Sequence, residues 1–398
     1  MLDKLYQNSA KIINEVELSF KRYLFDEIDW TNRLIGIKGA RGTGKTTLML
    51  QFLKENKLSA DKALYVSLDH LYFTVNKLTD LIEHFVQHDG EYLFLDEVHK
   101  YNTWSQEIKM AYDSYKNLKI VFTSSSILQL NKSHADLSRR AVFYNLAGLS
   151  LREYLELAHN IKLPLLELED ILTDHITIAL DFQQKFKPVK IFNEYLKYGY
   201  YPFFKENEAT YLQRLETVVN LIIDVDLPYI EKIDHSSILK FKKLLYIIAT
   251  NVPFKLNAQK LSDRTSIHRN NIWKFVDQLN KAQLLKSVTA GHFGLNNIGR
   301  PDKLYLDNTN LMFALAEEFA DVGTLRETFF ANQLSKMHQL SSTDKGDFKV
   351  DKNYIFEIGG KNKTNYQVAN IKNAYIAADD IETGVLNKIP LWLFGFLY

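Results

Sequence analysis

The feature that most narrows what this chain can fold into is a glycine-rich turn set between an apolar strand and a helix. Leu34 to Ile37 read as a buried strand, and Gly39-Ala40-Arg41-Gly42-Thr43-Gly44-Lys45-Thr46 follows in the pattern G-x-x-x-x-G-K-[ST], with Thr47 to Lys54 as the helix. Glycine at those spacings lets backbone N–H groups and the helix N-terminus wrap a phosphate closely. The expectation is a nucleotide cradle formed by Gly39, Ala40, Arg41, Gly42, Thr43, Gly44, Lys45, Thr46 and Thr47. Lys45 would reach the β and γ oxygens, and the Thr46 hydroxyl would be a magnesium ligand.

Some 50 residues beyond Lys45, the apolar run Tyr92-Leu93-Phe94-Leu95 ends in Asp96-Glu97. Two carboxylates at the end of a buried strand suit a division of labour, with Asp96 holding magnesium and Glu97 polarising a water as general base. At the end of the next strand, Thr123 and Ser124 to Ser126 supply hydroxyls that could bond the attacking water or the γ-phosphate. Arg139 and Arg140, beyond the polar loop Asn131 to Ser138, are candidates for an arginine finger. Asp96-Glu97-Val98-His99 also spells DExH, but neither a second α/β motor domain nor a Gln-x-x-Gly-Arg-x-x-Arg segment is present to make a helicase. His84 and His88 lack the intervening Glu of a zinc-protease helix.

The 398 residues allow several packed cores, and apolar strands alternating with helix-period segments imply an α/β parallel-sheet domain over 31–147. The expected layout is a helical lead-in at 1–30, that nucleotide domain, a helical lid at 148–235, a module at 236–306 and a C-terminal domain at 307–398. In the third of these, helical stretches at Leu239 to Thr250, Asn257 to Leu261 and Ser266 to Gln283 precede strands at Leu284 to Val288 and Lys303 to Leu306. Their intervening loop contains Gly291, Gly294 and Gly299, and the order is that of a winged helix. His268, Arg269, Asn270 and Lys274 at the start of its third helix could meet a DNA groove. The last domain reads as a helix at Leu325 to His338 followed by strands, the final one at Leu391 to Tyr398. It carries Glu327, Asp347, Glu357 and Lys361, an acid, acid, acid, lysine order with the lysine four residues after the last acid rather than two. That spacing favours a nuclease-like fold without nuclease chemistry.

A net charge of +1 gives no global pull toward nucleic acid or acidic membranes, and the absence of cysteine excludes disulfides and thiolate zinc. With charged residues where a signal peptide would need an apolar run, and no apolar stretch of membrane-spanning length, the expectation is a cytoplasmic protein with no membrane partner.

Taken together these segments resemble bacterial and archaeal AAA-type P-loop ATPases whose C-terminal domain of unknown function is similar to PD-(D/E)xK nucleases. The carriers are Gly39 to Thr46, Leu95-Asp96-Glu97-Val98-His99-Lys100, Thr123 to Ser126, Arg140, Leu149 to Tyr154, Tyr195 to Pro202, Lys303 to Asn308 and Phe356 to Lys361. The family commonly has Gly-Ser where this chain has Ser124-Ser125, and Gly-Arg where it has Arg139-Arg140. The resemblance implies ATP with Mg2+ as cofactor, a winged helix and a nuclease-like end. It leaves three functions open: an ATP-driven switch acting on double-stranded DNA or a protein partner, singly or as an oligomer; an ATP-regulated DNA-processing nuclease; or a nonenzymatic nucleotide-binding module.

Overall fold

A computed structural model describes residues 2–125, 137, 139–228, 233–250, 258–290, 301–316, 318, 321–364 and 371–398. Ser126, Asn131 to Asp136, Ser138 and Gly291, Gly294 and Gly299 lie outside the described residues. The chain divides into two compact units, Met1–Gly148 and Leu149–Tyr398.

In the first unit, five short runs rich in Ile, Val, Leu and aromatic residues form strands β1 (Leu34–Gly39), β2 (Ala63–Ser67), β3 (Tyr92–Asp96), β4 (Lys119–Ser125) and β5 (Val142–Asn145). They pair in parallel in the order β2-β3-β4-β1-β5. Every residue of β1 is buried, as expected of a central parallel strand covered on both faces. Helices α1 (Leu2–Glu15) and α2 (Leu24–Glu27) precede the sheet, and α3 (Lys45–Glu55), α4 (Leu78–Gln87) and α5 (Trp104–Ser114) lie in its crossovers. On one face Ile35, Ile37, Phe94, Val121 and Tyr65 meet Leu48, Met49 and Phe52 of α3, with Ile12 and Ile13 of α1 packed alongside. The lead-in is thus part of the nucleotide unit's core. On the other face Phe122 packs against Trp104 with its ring tilted and meets Phe143 edge-on, and Gly36 leaves room for both phenyl rings.

The second unit begins with helices α6 (Leu151–His159), α7 (Leu168–Gln183), α8 (Pro188–Tyr198) and α9 (Tyr211–Leu221). Helices α10 (His235–Thr250), α11 (Ala258–Thr265) and α12 (Ile272–Lys281) then lead into the antiparallel hairpin β6 (Leu285–Val288) and β7 (Lys303–Leu306). After α13 (Thr309–Ala316) and α14 (Val322–Leu334) comes a mixed five-stranded sheet. Its strands are β8 (Leu340–Ser342), β9 (Phe348–Val350), β10 (Tyr354–Gly359), β11 (Ala374–Ala378) and β12 (Lys388–Pro390), ordered β12-β11-β10-β9-β8. The expected terminal strand is instead a 3-10 helix, Leu391–Phe396, with every residue buried. A short, uniformly apolar run carries no period by which strand and buried helix differ. Here Trp392 and Phe396 pack on Phe182, and Phe394 packs on Phe330 and Phe356, so the segment fills the core.

Candidate functional site

The phosphate loop leaves β1 at Gly39 and enters α3 through Gly44, whose φ of 95° is a left-handed conformation that suits glycine. A side chain at Gly39 would stand 2.5 Å from the Leu146 carbonyl oxygen, so the close approach of those two segments requires glycine there too. Within the loop the Thr43 hydroxyl donates to the Ala40 carbonyl at 2.9 Å. Lys45, 6% exposed, folds over the loop and donates through Nζ to the carbonyls of Gly39 (3.0 Å) and Ala40 (2.9 Å). Thr47 and Gly42 are exposed and Arg41 is half-buried.

One contributor was invisible to motif reading. Arg22, 4% exposed, donates to the Thr43 carbonyl inside the loop and to the carbonyls of Ala147 (2.8 Å) and Gly148 (2.9 Å). No sequence signal marks it, because its acceptors are backbone atoms far along the chain.

The second motif arrives beside the first. Asp96 ends β3 on the face covered by α3, and its Oδ2 accepts the Thr46 hydroxyl at 2.6 Å and the Tyr65 phenol at 2.9 Å. Its Oδ1 accepts the Thr123 hydroxyl and the Glu97 N–H (3.1 Å). Thr123 Oγ1 in turn accepts from the Glu97 N–H at 3.0 Å, so one hydroxyl holds both acidic residues. Thr123 places its hydroxyl at the Asp96 carboxylate and the Glu97 N–H. Ser124, buried, projects from the opposite face by strand alternation, alongside Phe122 and in register with Lys38. Glu97 sits at φ 50°, a left-handed conformation uncommon for a non-glycine residue and often found at functional sites. Its Oε2 lies 3.2 Å from Nε2 of the buried His99.

A threonine hydroxyl bonded directly to a carboxylate, both at the mouth of a phosphate loop, is an oxygen donor set suited to a hard cation held partly by protein and partly by substrate phosphate. The residues present therefore fit Mg2+ with Thr46 and Asp96 as its protein ligands.

The arginines lie elsewhere. Arg140 makes a two-pronged ion pair with Asp113 in the last turn of α5, Nε to Oδ1 and Nη2 to Oδ2, both at 2.9 Å, and this lowers the Asp113 pKa. Arg33, just ahead of β1, donates to the carbonyls of Tyr112 and Tyr115 at that same end of α5. Arg140 thus sits at the edge where the strands begin, whereas the phosphate loop is at the edge where they end. The two edges are separated by the length of the strands, about 15–20 Å. Within one chain neither Arg140 nor its neighbour Arg139 stands beside the phosphate loop.

In the second unit His268, Arg269, Asn270 and Lys274 are all exposed, at the N-terminal end of α12 and the turn before it. The His268 ring accepts the Asn270 N–H at 3.3 Å. The C-terminal acids converge. Lys303 Nζ, from β7, lies 3.2 Å from Glu327 Oε2 and 3.1 Å from Asp347 Oδ1, and Tyr305 donates to Glu327. Asp347 also accepts the Ile358 N–H at 2.8 Å. The ammonium on Glu357 belongs to Lys363, two residues beyond the expected Lys361, which is exposed and offers only its carbonyl, to Lys388. Two turn residues after β10 bring Lys363 back over Gly359, a return that spacing alone does not reveal. Burial first, then the neighbouring Asp347 charge, raises the Glu327 pKa, and burial raises that of Glu357.

Residues 31–155 match the model of the AAA domain. The first unit has an AAA-like P-loop fold. Residues 189–322, from α8 through α13, match a domain of unknown function, DUF8612. Two relatives are uncharacterized proteins of Methanocaldococcus jannaschii. MJ1637 is 31% identical over 64% of this chain and 56% of its own length, and MJ1544 is 22% identical over 92% and 82%. The chain therefore spans little more than half the length of the first relative. Among solved structures, the Aeropyrum pernix ORC1 protein in complex with DNA is 13% identical, covering 80% of this chain and 92% of its own with a TM-score of 0.33. AMPPCP-bound DnaA from Aquifex aeolicus is 13% identical, covering 70% and 88% with a TM-score of 0.28. Among the described residues, no helix is long and apolar enough to cross a membrane.

Proposed function

We propose that the chain is an ATP-hydrolysing conformational switch in which the nucleotide state of the first unit sets the arrangement of a winged-helix module and a nuclease-like output module. The observation that carries the reading is the separation of the two acids: Asp96 is bound to Thr46 at the phosphate loop, while Glu97, at a left-handed φ of 50°, has its carboxylate 3.2 Å from His99. Bound there, Mg2+ would neutralise charge on the phosphates. The chain's own groups do the rest. Backbone N–H groups of the loop and the α3 N-terminus bind phosphate, Lys45 exchanges its carbonyl partners for phosphate oxygens, and Glu97 takes a proton from water. Thr123 ties the Asp96 carboxylate to the Glu97 backbone N–H.

The helix order α10 to α12 followed by the β6–β7 hairpin supports a winged helix, and the exposed His268, Arg269, Asn270 and Lys274 suit double-stranded DNA. A second reading, an ATP-regulated nuclease, is favoured by the convergence of Glu327, Asp347 and Glu357. Against it, the Lys303 ammonium already bridges two of those acids.

The test is steady-state ATP hydrolysis by the parent and Glu97→Gln proteins, with and without double-stranded DNA. Turnover should fall about 10²- to 10⁴-fold in the variant, the usual contribution of a general base, while ATP binding persists. DNA stimulation that needs Glu97 would make the winged helix the reader, and indifference to DNA would leave a protein partner. A variant as fast as the parent would remove Glu97 as the base.

A further inference from the structure

We propose that Tyr65 is a positioning residue for the cation side of the nucleotide site, its phenol holding the Asp96 carboxylate in the orientation that meets Thr46. The inference rests on the reading of Asp96 as a cation-holding carboxylate and adds a residue that neither phosphate motif contains.

Each Asp96 oxygen accepts two of the four donors named above. Oδ1 takes Thr123 and the Glu97 N–H, and Oδ2 takes Thr46 and Tyr65. Rotating the carboxylate therefore breaks bonds on both oxygens at once. On Oδ2, however, the Thr46 hydroxyl is also the group expected to face the cation, so it cannot serve as a fixed post for its own partner. Tyr65 can. It comes from β2, which pairs with β3 so that Tyr65 is opposite Phe94 and Ser67 is opposite Asp96. Its backbone N–H is held by the Ser9 hydroxyl at 3.0 Å, and its ring belongs to the same buried core as Ile37, Met49 and Phe94. A phenylalanine would fill the same space, which separates the hydroxyl's role from the ring's.

The experiment uses the full chain carrying Tyr65→Phe and a fluorescent ATP analogue. Analogue binding is titrated with Mg2+ at equilibrium and repeated in excess EDTA, and the thermal midpoint is measured without nucleotide. Groups that orient a metal-binding carboxylate typically account for 10- to 100-fold in metal affinity, so the Mg2+ concentration at half-saturation should rise about 10-fold or more. Binding in EDTA should match the parent, and the thermal midpoint should fall only modestly, by what one lost buried hydrogen bond implies. A Mg2+ requirement equal to the parent's would overturn the proposal. So would an equal loss of affinity in EDTA, which would mean that the phenol acts only through the fold. Asp96→Asn serves as the reference: if it too leaves the Mg2+ requirement unchanged, the assignment of Asp96 has failed, and if it shifts the requirement while Tyr65→Phe does not, only the role of Tyr65 has.

Discussion

Arg22 reaches into the phosphate loop from outside either nucleotide motif and ties Thr43 to the chain that follows β5. A guanidinium can serve three carbonyls because its donors fan out in a plane, whereas an ammonium on a flexible stem cannot hold all three in place. Arg22→Met should therefore cost on the order of 3 kcal/mol, since buried carbonyls lose a charged donor. Thermal unfolding of the first unit would show this, and Arg22→Lys should recover little of it. An unchanged midpoint in both variants would mean that the loop is held by its own contacts. Arg22, like Tyr65 with its carboxylate partner on β3, shows which residues sequence reading misses. The phosphate-loop residues and Asp96-Glu97 were legible because their spacing is local and their chemistry demands particular residue types. Arg22 and Tyr65 were not, because only the folded sheet brings them to their partners. Between Thr123 and Ser124, both hydroxyls at one strand end, the choice needed the sheet's facing, which the sequence shows only once a register is known.

At the scale of elements, the apolar runs Leu34 to Ile37 and Tyr92 to Leu95 located β1 and β3 to within two residues, and periodicity gave the order helix, helix, helix, hairpin in the second unit. It failed at Leu391–Phe396, where aromatic residues in succession bury every face. Ser150-Leu151-Arg152-Glu153 forms a reciprocal capping box at the start of α6, with the Ser150 hydroxyl accepting the Glu153 N–H and the Glu153 carboxylate accepting the Ser150 N–H. The Ser150 hydroxyl also donates to the Tyr398 carbonyl at 2.8 Å, so the cap joins α6 to the segment after the terminal 3-10 helix. Ser150→Ala should destabilise the second unit by about 1–2 kcal/mol, the upper range for losing a cap because a second buried bond goes with it. Denaturant unfolding followed by a probe in that unit would measure it. A loss below about 0.5 kcal/mol would show that Glu153 and backbone bonds hold the helix start without the hydroxyl.

For the whole molecule, the position of Arg140 bears on whether one chain suffices for catalysis. Its place at the edge where the strands begin, paired to Asp113, puts it about 15–20 Å from its own phosphate loop, so a catalytic role would have to be played at the site of a second copy, in exchange for Asp113. If it serves there as an arginine finger, Arg140→Ala should reduce turnover by about 10³- to 10⁵-fold with nucleotide binding intact. Lys45→Ala should abolish binding while keeping its own Arg140. Mixing the two inactive variants then discriminates. In a mixed assembly an Arg140→Ala chain supplies an intact phosphate loop and a Lys45→Ala neighbour supplies the arginine, so ATP hydrolysis should reappear and rise with the proportion of mixed contacts. The recovered rate should depend on total protein concentration, because it requires association. If mixing restores nothing and Arg140→Ala alone hydrolyses ATP at the parent rate, the Arg140–Asp113 pair is a surface ion pair that contributes little beyond fixing the end of α5. Restoration would instead mean that the active unit is larger than one chain, with each chain lending its neighbour an arginine that its own phosphate loop does not meet.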